Sequence, residues 1–261
     1  MQGRIVMWVI ANGTPKAGST WLVQLLEATG RFERVPSALQ AEGWRNSSVA
    51  DGEIASATRE LSTASTRYLS KQHWADKHEE LLEVPGVKVL NIVRDIRDLV
   101  ISRYHHNVRA VGEKLPLEGF VFKKGRKYVR DYCAYHRHWI AAADVGSTSY
   151  YVSSYEFLSH DLVTAASELY DFVGVPLTAE ESVKSAQSTV FSKKRNTGPG
   201  NFFRKGKALA FGDEIGEDEN AFLLKCAREF DLGNIKRDIG NRYPTLVPYL
   251  RITDVGLGDP G

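Results

Sequence analysis

Residues 11–26 read ANGTPKAGSTWLVQLL, a glycine-rich loop that leads directly into an amphipathic pattern. Gly13 and Gly18 allow a ligand to approach the backbone closely, and Ser19 and Thr20 supply hydroxyl donors. The amide hydrogens of such a loop, together with the positive end of the helix dipole that follows it, form an anion site. The stretch therefore predicts a phosphate-binding loop.

The segments on either side of this loop predict a strand before it and a helix after it. Residues 4–10 are a short, continuous apolar run, which is typical of a buried strand in a parallel sheet. After the loop, apolar residues recur at helical spacing up to Gly30, and Ser19 or Thr20 is the expected N-cap. The apolar positions of this helix are Trp21, Leu22, Leu25, Leu26 and Ala28.

The same alternation of strand and helix continues along the chain. Residues 87–93 are a strong strand pattern that runs into a helical pattern at 95–102, and residues 66–70 and 149–153 indicate two more strands. A helix is expected over about 124–144. Long crossovers between strands indicate a parallel sheet. We therefore expect a three-layer α/β/α fold with a central parallel sheet and a P-loop-like nucleotide-binding architecture.

Ligands of such sheets bind at the carboxyl ends of the strands. The two junctions that follow strands, residues 11–20 and 94–98, must both lie there. Residues 36–62 are rich in Ser, Ala and Gly and are expected to be either mobile or substrate-facing and to end in a helix.

Composition limits the class of protein. The chain has 261 residues with no second composition block, so we expect a single domain over residues 1–261. The formal net charge of +2 gives no support to general binding of nucleic acid or membrane, and the basic run 123–127 is interpreted as a solvated face. No apolar run approaches the ~18 residues of a membrane span.

The cysteines point to a reducing compartment. Cys133 and Cys226 are far apart in sequence and lack metal-ligand spacing, which excludes a disulfide scaffold. No signal-peptide pattern is recognised at the N-terminus. We therefore expect a cytoplasmic protein.

The position of the loop lysine argues against an ATPase. Lys16 stands two residues before Gly18, whereas a Walker loop has its lysine directly after that glycine. The second strong strand ends in Arg94, where a magnesium site would need an acidic residue. A basic residue at this place suits another phosphate, so we expect a nucleotide held by two separate anionic groups without a metal.

Four stretches carry a family resemblance. GTPKAGSTWL (13–22) resembles the 5′-phosphosulfate loop of sulfotransferases that use 3′-phosphoadenosine 5′-phosphosulfate (PAPS), and VRDIRDLVISRYHH (93–106) resembles their 3′-phosphate segment. YEFL (155–158) resembles the Tyr-Glu-Asp-Leu stretch after the next strand, and FFRKGKALAFGDE (202–214) resembles their C-terminal element. Four elements in the family's order are more specific than any one of them.

The resemblance implies a role for individual residues. The residues implied to hold the 5′-phosphosulfate are Lys16, Ala17, Gly18, Ser19 and Thr20. Those implied to hold the 3′-phosphate are Arg94, Ser102, Arg204, Lys205 and Gly206. Those implied to border the adenine are Trp21, Tyr155 and Phe191, each of which is also compatible with a place in the core. PAPS would be the sulfate donor, 3′-phosphoadenosine 5′-phosphate (PAP) the product, and no metal would be required.

The resemblance also implies a general base. Family members carry a Lys-x-His motif, and KQHW (71–74) supplies Lys71 and His73 just after a predicted strand. A neutral imidazole with a pKa near the working pH can take the acceptor proton during in-line transfer. Lys16 and Lys71 can stabilise charge on the leaving side. His105 and His106 are interpreted as pocket wall or surface.

Departures from the family pattern leave the acceptor open. Asp95 and Ile96 replace the usual Asn and Pro, Trp74 follows the histidine, and Glu214 replaces a Trp. A small-molecule hydroxyl or amine acceptor is expected, but neither its identity nor the oligomeric state follows from the sequence. Two alternatives also stay open, a P-loop kinase or other nucleoside-triphosphate enzyme, which would bind magnesium-ATP, and a non-catalytic nucleotide-binding protein of the same architecture.

Overall fold

The computed structural model describes residues 8–41, 48–62, 65–143, 148–190 and 208–250. These ranges contain a five-stranded sheet in the order β2-β3-β1-β4-β5, and every neighbouring pair is parallel. The strands are β1 (Trp8–Asn12), β2 (Glu33–Arg34), β3 (Tyr68–Gln72), β4 (Val87–Val93) and β5 (Tyr150–Ser154). The prediction of a central parallel sheet is confirmed.

Helices cover both faces of the sheet. They are α1 (Ser19–Ala28), α2 (Ile54–Leu61), α3 (Ile96–Val111), α4 (Leu117–Phe120), α5 (Arg126–Ala142), α6 (Tyr155–His160), α7 (Leu162–Phe172), α8 (Ala179–Ser188), α9 (Glu217–Glu229), α10 (Leu232–Arg242) and α11 (Val247–Leu250). A π-helical turn, Val121–Gly125, joins α4 to α5. Helices α1, α7 and α8 pack as one layer, and α3, α5, α9 and α10 pack as the other. The three-layer α/β/α prediction is confirmed.

The hydrophobic core follows the apolar strands. All five residues of β1 are buried, and β4 is buried at every position except Lys88. Burial on both faces is the reason that these strands read as nearly continuous apolar runs. Asn12 is a polar exception within β1, and its side-chain amide bonds both the N–H and the carbonyl of Trp74, at 3.0 and 3.2 Å. Such pairing offsets the cost of burying an amide.

Several element bounds differ from the sequence predictions. The described part of β1 ends at Asn12 rather than residue 10, and β3 lies two residues later than the predicted strand at 66–70. The polar residues at the ends of both strands conceal these bounds. No sequence pattern predicts β2, because an exposed two-residue edge strand carries no apolar alternation.

The strand order places the candidate site. β3, β1 and β4 are adjacent and parallel, so their carboxyl ends meet at one edge of the sheet. His73 follows β3, the glycine loop follows β1, and Arg94 follows β4. β5 lies beside β4 and is followed directly by Tyr155. Residues that are far apart in the sequence are thus brought to one edge.

Candidate active site

The glycine loop is tightly folded between the sheet and α1. Gly18 has φ 125°, and a Cβ atom there would lie 2.9 Å from Ile92 Cδ1 and 2.9 Å from Tyr155 Cδ2. Lys16 also has a left-handed backbone, with φ 80°. Gly18 is the N-cap of α1 and has no side-chain cap, so the expected cap by Ser19 or Thr20 is wrong. The Thr20 hydroxyl instead accepts a hydrogen bond from a side chain on β3.

Strand β3 contributes Lys71 to the glycine loop. Lys71 is a polar residue on a largely buried strand, and its Nζ donates to Thr20 Oγ1 at 2.9 Å. Burial lowers the pKa of Lys71 to about 8. Burial also lowers the pKa of Lys16 to about 8, and the positive charges of Arg109, Lys71, Arg94 and Arg103 add to this effect. Ala17 and Ser19 are buried beside Lys16 in the same loop.

His73 is held against the glycine loop. Its Nδ1 faces the carbonyl oxygen of Gly13 at 2.5 Å, and because a carbonyl only accepts, Nδ1 carries the hydrogen. In the neutral ring, Nε2 then holds the lone pair that a general base needs. Burial, with the charge of Lys71 second, lowers the pKa of His73 to about 4. The sequence-based expectation of a pKa near the working pH is therefore wrong for the ligand-free protein.

Arg94 is fixed at the end of β4 by contacts on several sides. Its Nη1 donates to the carbonyl of Lys16 at 3.1 Å, and its guanidinium lies 3.9 Å from the ring centroid of Tyr155. Asp98 faces the guanidinium at 3.8 Å, one helical turn further on. Among the described residues, the buried Arg94 Nε has no hydrogen-bond partner. A buried, unsatisfied guanidinium N–H is a donor suited to an oxyanion.

The backbone of Arg94 is held by a residue that the sequence analysis did not identify. The Tyr132 hydroxyl accepts from the Arg94 N–H at 3.0 Å and donates to the Arg94 carbonyl at 2.9 Å. Tyr132 lies on α5, and no motif connects it to the strand end. Only the fold brings the two residues together.

A buried charge network lies behind the same turn. Asp95 caps α3 by accepting from Arg97 N at 2.9 Å, and it forms a two-point ion pair with the Arg97 guanidinium at 2.9 and 2.7 Å. Glu156 accepts from Asp95 N at 3.0 Å, and burial raises its pKa to about 7. An aspartate directly before an apolar helical pattern is an N-cap signal, so Asp95 could have been found in the sequence.

The remaining residues that are predicted to bind the nucleotide are half-buried or buried where the structure describes them. Ser102 is half-buried on α3 and is one turn beyond Asp98. Trp21 and Tyr155 pack edge to face with centroids 5.4 Å apart, and the Trp21 indole donates to Thr189 Oγ1 at 3.1 Å. Both rings are nearly fully buried. The predicted residues outside the described ranges are Phe191, Arg204, Lys205 and Gly206.

The two rival histidines occupy different environments. His105 Nε2 faces Glu214 Oε2 at 2.7 Å, in an ion pair if the ring is protonated. His106 is half-buried, and its pKa is lowered by burial and by the charges of Lys16, Arg103 and Arg109. The charge of Lys16 in the glycine loop is thus one of those that act on His106.

Neither a metal cluster nor a membrane span is present in the described ranges. No group of three His, Cys, Asp or Glu side chains there is arranged to hold a metal ion. Within the same ranges, no helix is both long enough and apolar enough to cross a bilayer.

Comparison with known families identifies the chain. The model of the sulfotransferase domain matches residues 8–229, which is most of the sequence. The chain belongs to the sulfotransferase family. This match covers the glycine loop, the Lys-x-His motif and the β4–α3 junction, and it confirms the resemblance drawn from the four sequence stretches. No curated protein sequence matches the chain significantly.

Solved sulfotransferase structures share the fold of this family member. Mouse sulfotransferase SULT7A1 in complex with PAP is 17% identical with a TM-score of 0.64, and the match covers 85% of this chain and 82% of that one. Retinol dehydratase in complex with androsterone and PAP has the same identity and TM-score, with coverages of 87% and 81%. A sulfotransferase from Alicyclobacillus acidocaldarius is 16% identical with a TM-score of 0.50, with coverages of 90% and 94%. At these identities the likeness shows the fold.

Proposed function

We propose that this protein transfers the sulfuryl group of PAPS to a hydroxyl or amine of a small-molecule acceptor. The observation that carries the proposal is the meeting of Lys16, Arg94 and His73 at three adjacent strand ends. Two similar structures contain PAP, and one of them also contains androsterone. These complexes support a PAPS donor and a small-molecule acceptor.

The proposed nucleotide has two anionic ends, and residues inside and outside the described ranges would bind them. Lys16 and Lys71, the backbone amides of residues 17–20 and the Thr20 hydroxyl would bind the 5′-phosphosulfate. Arg94 would bind the 3′-phosphate with its unsatisfied Nε, joined by Ser102 and by Arg204, Lys205 and Gly206. Trp21, Tyr155 and Phe191 would border the adenine.

His73, Lys16 and Lys71 would be the side chains that take part in sulfuryl transfer. PAPS supplies an electrophilic sulfur whose bond to the bridging phosphate oxygen breaks as the acceptor oxygen or nitrogen attacks in line. His73 Nε2 would take the proton that the acceptor loses, while Nδ1 keeps its bond to Gly13. Lys16 and Lys71 would stabilise the negative charge that develops on the bridging oxygen.

Nucleotide binding would raise the pKa of His73. Burial is the largest cause of its lowered pKa, and the positive charges of Lys71, Arg103 and Lys16 lower it further. Phosphate and sulfate groups that neutralise these cations raise the pKa towards the working range, because they favour the charged imidazolium. The base would thus become competent when the donor is in place.

The decisive experiment compares ligands and then follows transfer. We expect PAP to raise the melting temperature clearly, and adenosine 5′-phosphate and magnesium-ATP to raise it much less. A ligand at a hundred times its Kd stabilises the native state by about 2.7 kcal/mol. Transfer of labelled sulfate from PAPS to an acceptor panel should continue in excess EDTA. Equal stabilisation by PAP and adenosine 5′-phosphate, or activity that requires added magnesium, would favour the kinase alternative.

The single domain over residues 1–261 and a cytoplasmic location remain predictions.

A further inference from the structure

Helix α3 carries a row of basic residues beyond the Arg94 turn. Arg103, His106 and Arg109 follow one another at three-residue intervals, which places them within about a third of the helix circumference. Arg103 and His106 are half-buried, and Arg109 is exposed at the outer end of this face. The helix begins directly after the Arg94 turn, so its first turns lie over the carboxyl ends of the strands.

Contacts from a second helix and from α3 itself hold this basic face. The Arg103 guanidinium lies over the ring of Tyr128, 5.4 Å from its centroid, and Tyr128 belongs to α5. The Tyr128 hydroxyl in turn accepts from Asn107 Nδ2 at 3.2 Å. Arg109 Nε donates to the carbonyl of His105 at 3.2 Å.

The charge of Arg103 reaches the reacting groups. It contributes to the lowered pKa values of Lys16, His73 and His106. Arg109 is the charge with the largest effect on Lys16. Asp98 faces Arg94 at 3.8 Å, and Glu214 faces His105 at 2.7 Å.

A cation beside a general base opposes catalysis unless an anion offsets it. Arg103 disfavours the imidazolium that His73 must become when it takes a proton. The proposed nucleotide site already contains cations for each anionic end, namely Lys16 and Lys71 at one and Arg94 at the other. The basic face of α3 starts two turns beyond Arg94, at Arg103, and neither anionic end of the nucleotide is assigned to it.

We infer that the acceptor carries an oxyanion group, such as a carboxylate, close to the hydroxyl that is sulfated, and that Arg103, with His106 and Arg109, binds it. This inference rests on the proposed sulfotransferase function. The bound oxyanion would orient the hydroxyl towards His73 and would offset the charge of Arg103 during proton transfer. Specificity would follow from the unpaired guanidinium charge that a neutral acceptor leaves behind.

The test uses paired acceptors in which a methyl ester replaces the charged carboxylate. The full chain is given PAPS with para-hydroxyphenylpropionate or its methyl ester, and with an omega-hydroxyalkyl carboxylate or its methyl ester. We expect kcat/KM to favour the carboxylates by about ten- to a hundredfold, the range of one charge-assisted hydrogen bond. Arg103→Gln should abolish the preference, and Arg103→Lys should retain part of it. Arg130→Gln, which removes an exposed arginine on α5, should leave the preference unchanged.

PAP binding separates this inference from the proposed function. Arg103→Gln should bind PAP with an affinity within about threefold of the wild type, and the acid limb of its kcat/KM profile should move to higher pH because the pKa of His73 rises. A large loss of PAP affinity would assign Arg103 to the nucleotide site and overturn the inference. So would a wild-type enzyme that binds PAP but sulfates both members of each pair equally, or neither. Failure to bind PAP at all would overturn the proposed function itself.

Discussion

At the residue scale, the hydrogen bond between His73 and Gly13 decides which ring nitrogen is available for catalysis. The carbonyl fixes the hydrogen on Nδ1, and the same bond keeps the ring beside the glycine loop. Lys16 would act on the donor and not on the acceptor, because it belongs to the loop that would bind the phosphosulfate. In the proposed mechanism the two residues therefore make separable contributions, His73 to proton transfer and Lys16 to both binding and transfer.

Replacing His73 tests this separation. His73→Ala should leave PAP affinity nearly unchanged and lower turnover by about a hundred- to ten-thousandfold, the range for loss of a general base. Lys16→Ala should lower both. Initial rates and PAP titrations of the two variants measure these effects, and His160→Ala, at an exposed position on α6, is the matched control. Near wild-type turnover of His73→Ala would exclude this histidine as the base.

Gly18 is required for two physical reasons that can be measured apart. Its φ of 125° is unfavourable for any side chain, and a Cβ atom would meet Ile92 and Tyr155 at 2.9 Å. Gly18→Ala should lower the free energy of unfolding by about 1–3 kcal/mol and weaken PAP binding, because the loop must shift. Denaturant unfolding measures the first effect and titration the second.

Two other glycines serve as controls for this substitution. Gly30 has φ 64° with open space around a Cβ atom, so Gly30→Ala isolates the backbone cost, about 1–2 kcal/mol. Gly52 has open space and no positive φ, so Gly52→Ala should stay within about 0.5 kcal/mol of the wild type. A Gly18→Ala protein as stable as Gly52→Ala would contradict the packing of the loop described above.

At the scale of elements, the β4–α3 junction is held by α5. Tyr132 bonds both the N–H and the carbonyl of Arg94, and it does so through a single hydroxyl. The arginine side chain can then point at a phosphate while its backbone stays fixed. Asp95 and Arg97 complete the turn with a buried ion pair at the first turn of α3.

Removing that hydroxyl should therefore reach the nucleotide. Tyr132→Phe should weaken PAP binding by about fivefold, equivalent to about 1 kcal/mol, because the Arg94 turn loses two hydrogen bonds. Tyr170→Phe removes a comparable buried hydroxyl, which donates to Leu25 O at 3.3 Å away from the junction. It should lower the melting temperature without changing PAP affinity. Equal changes in affinity for the two variants would mean that Tyr132 acts through stability alone.

The sequence predicts some of these elements well and others not at all. The sequence predicts β4 at its observed bounds. It also predicts a loop followed by a helix where the glycine loop and α1 lie, because a buried strand and an amphipathic helix have strong periodic patterns. β2 and the site role of Tyr132 were missed, since each depends on pairing with a distant part of the chain. The pKa of His73 was also missed, because burial and neighbouring cations follow from the fold and not from a motif.

At the scale of the whole molecule, a chain with a net charge of only +2 concentrates cations at one edge of its sheet. Burial lowers the pKa values of Lys16 and Lys71 from 10.5 to about 8, and for Lys16 the repulsion of neighbouring cations adds to it. Such shifts correspond to roughly 3 kcal/mol each of unfavourable free energy when the lysines are protonated. Since the unfolded chain binds these protons more tightly, the stability of the ligand-free protein should rise with pH between about 8 and 10.5.

An anionic nucleotide reverses the sign of this effect. Bound phosphates favour the charged lysines, so the pKa values of Lys16 and Lys71 rise in the complex and protons are taken up on binding. PAP affinity should be full below pH 8 and should fall as the pH rises through 8 and above. At pH 8, where both lysines are about half protonated, we expect an uptake of roughly one proton per PAP.

Calorimetry in buffers of different ionisation enthalpy measures this uptake directly. The binding enthalpy at pH 8 should change with the buffer, and the slope of that dependence gives the number of protons. At pH 6 both lysines are already charged, so their contribution to the slope should vanish, and the uptake that remains there belongs to His73, whose pKa the nucleotide raises. Lys71→Met should remove about half of the uptake at pH 8, whereas Lys127→Met, at an exposed position on α5, should leave it unchanged. A binding enthalpy independent of the buffer at pH 8 would show that the lysines are already fully charged in the free protein, and that the cation cluster does not perturb them.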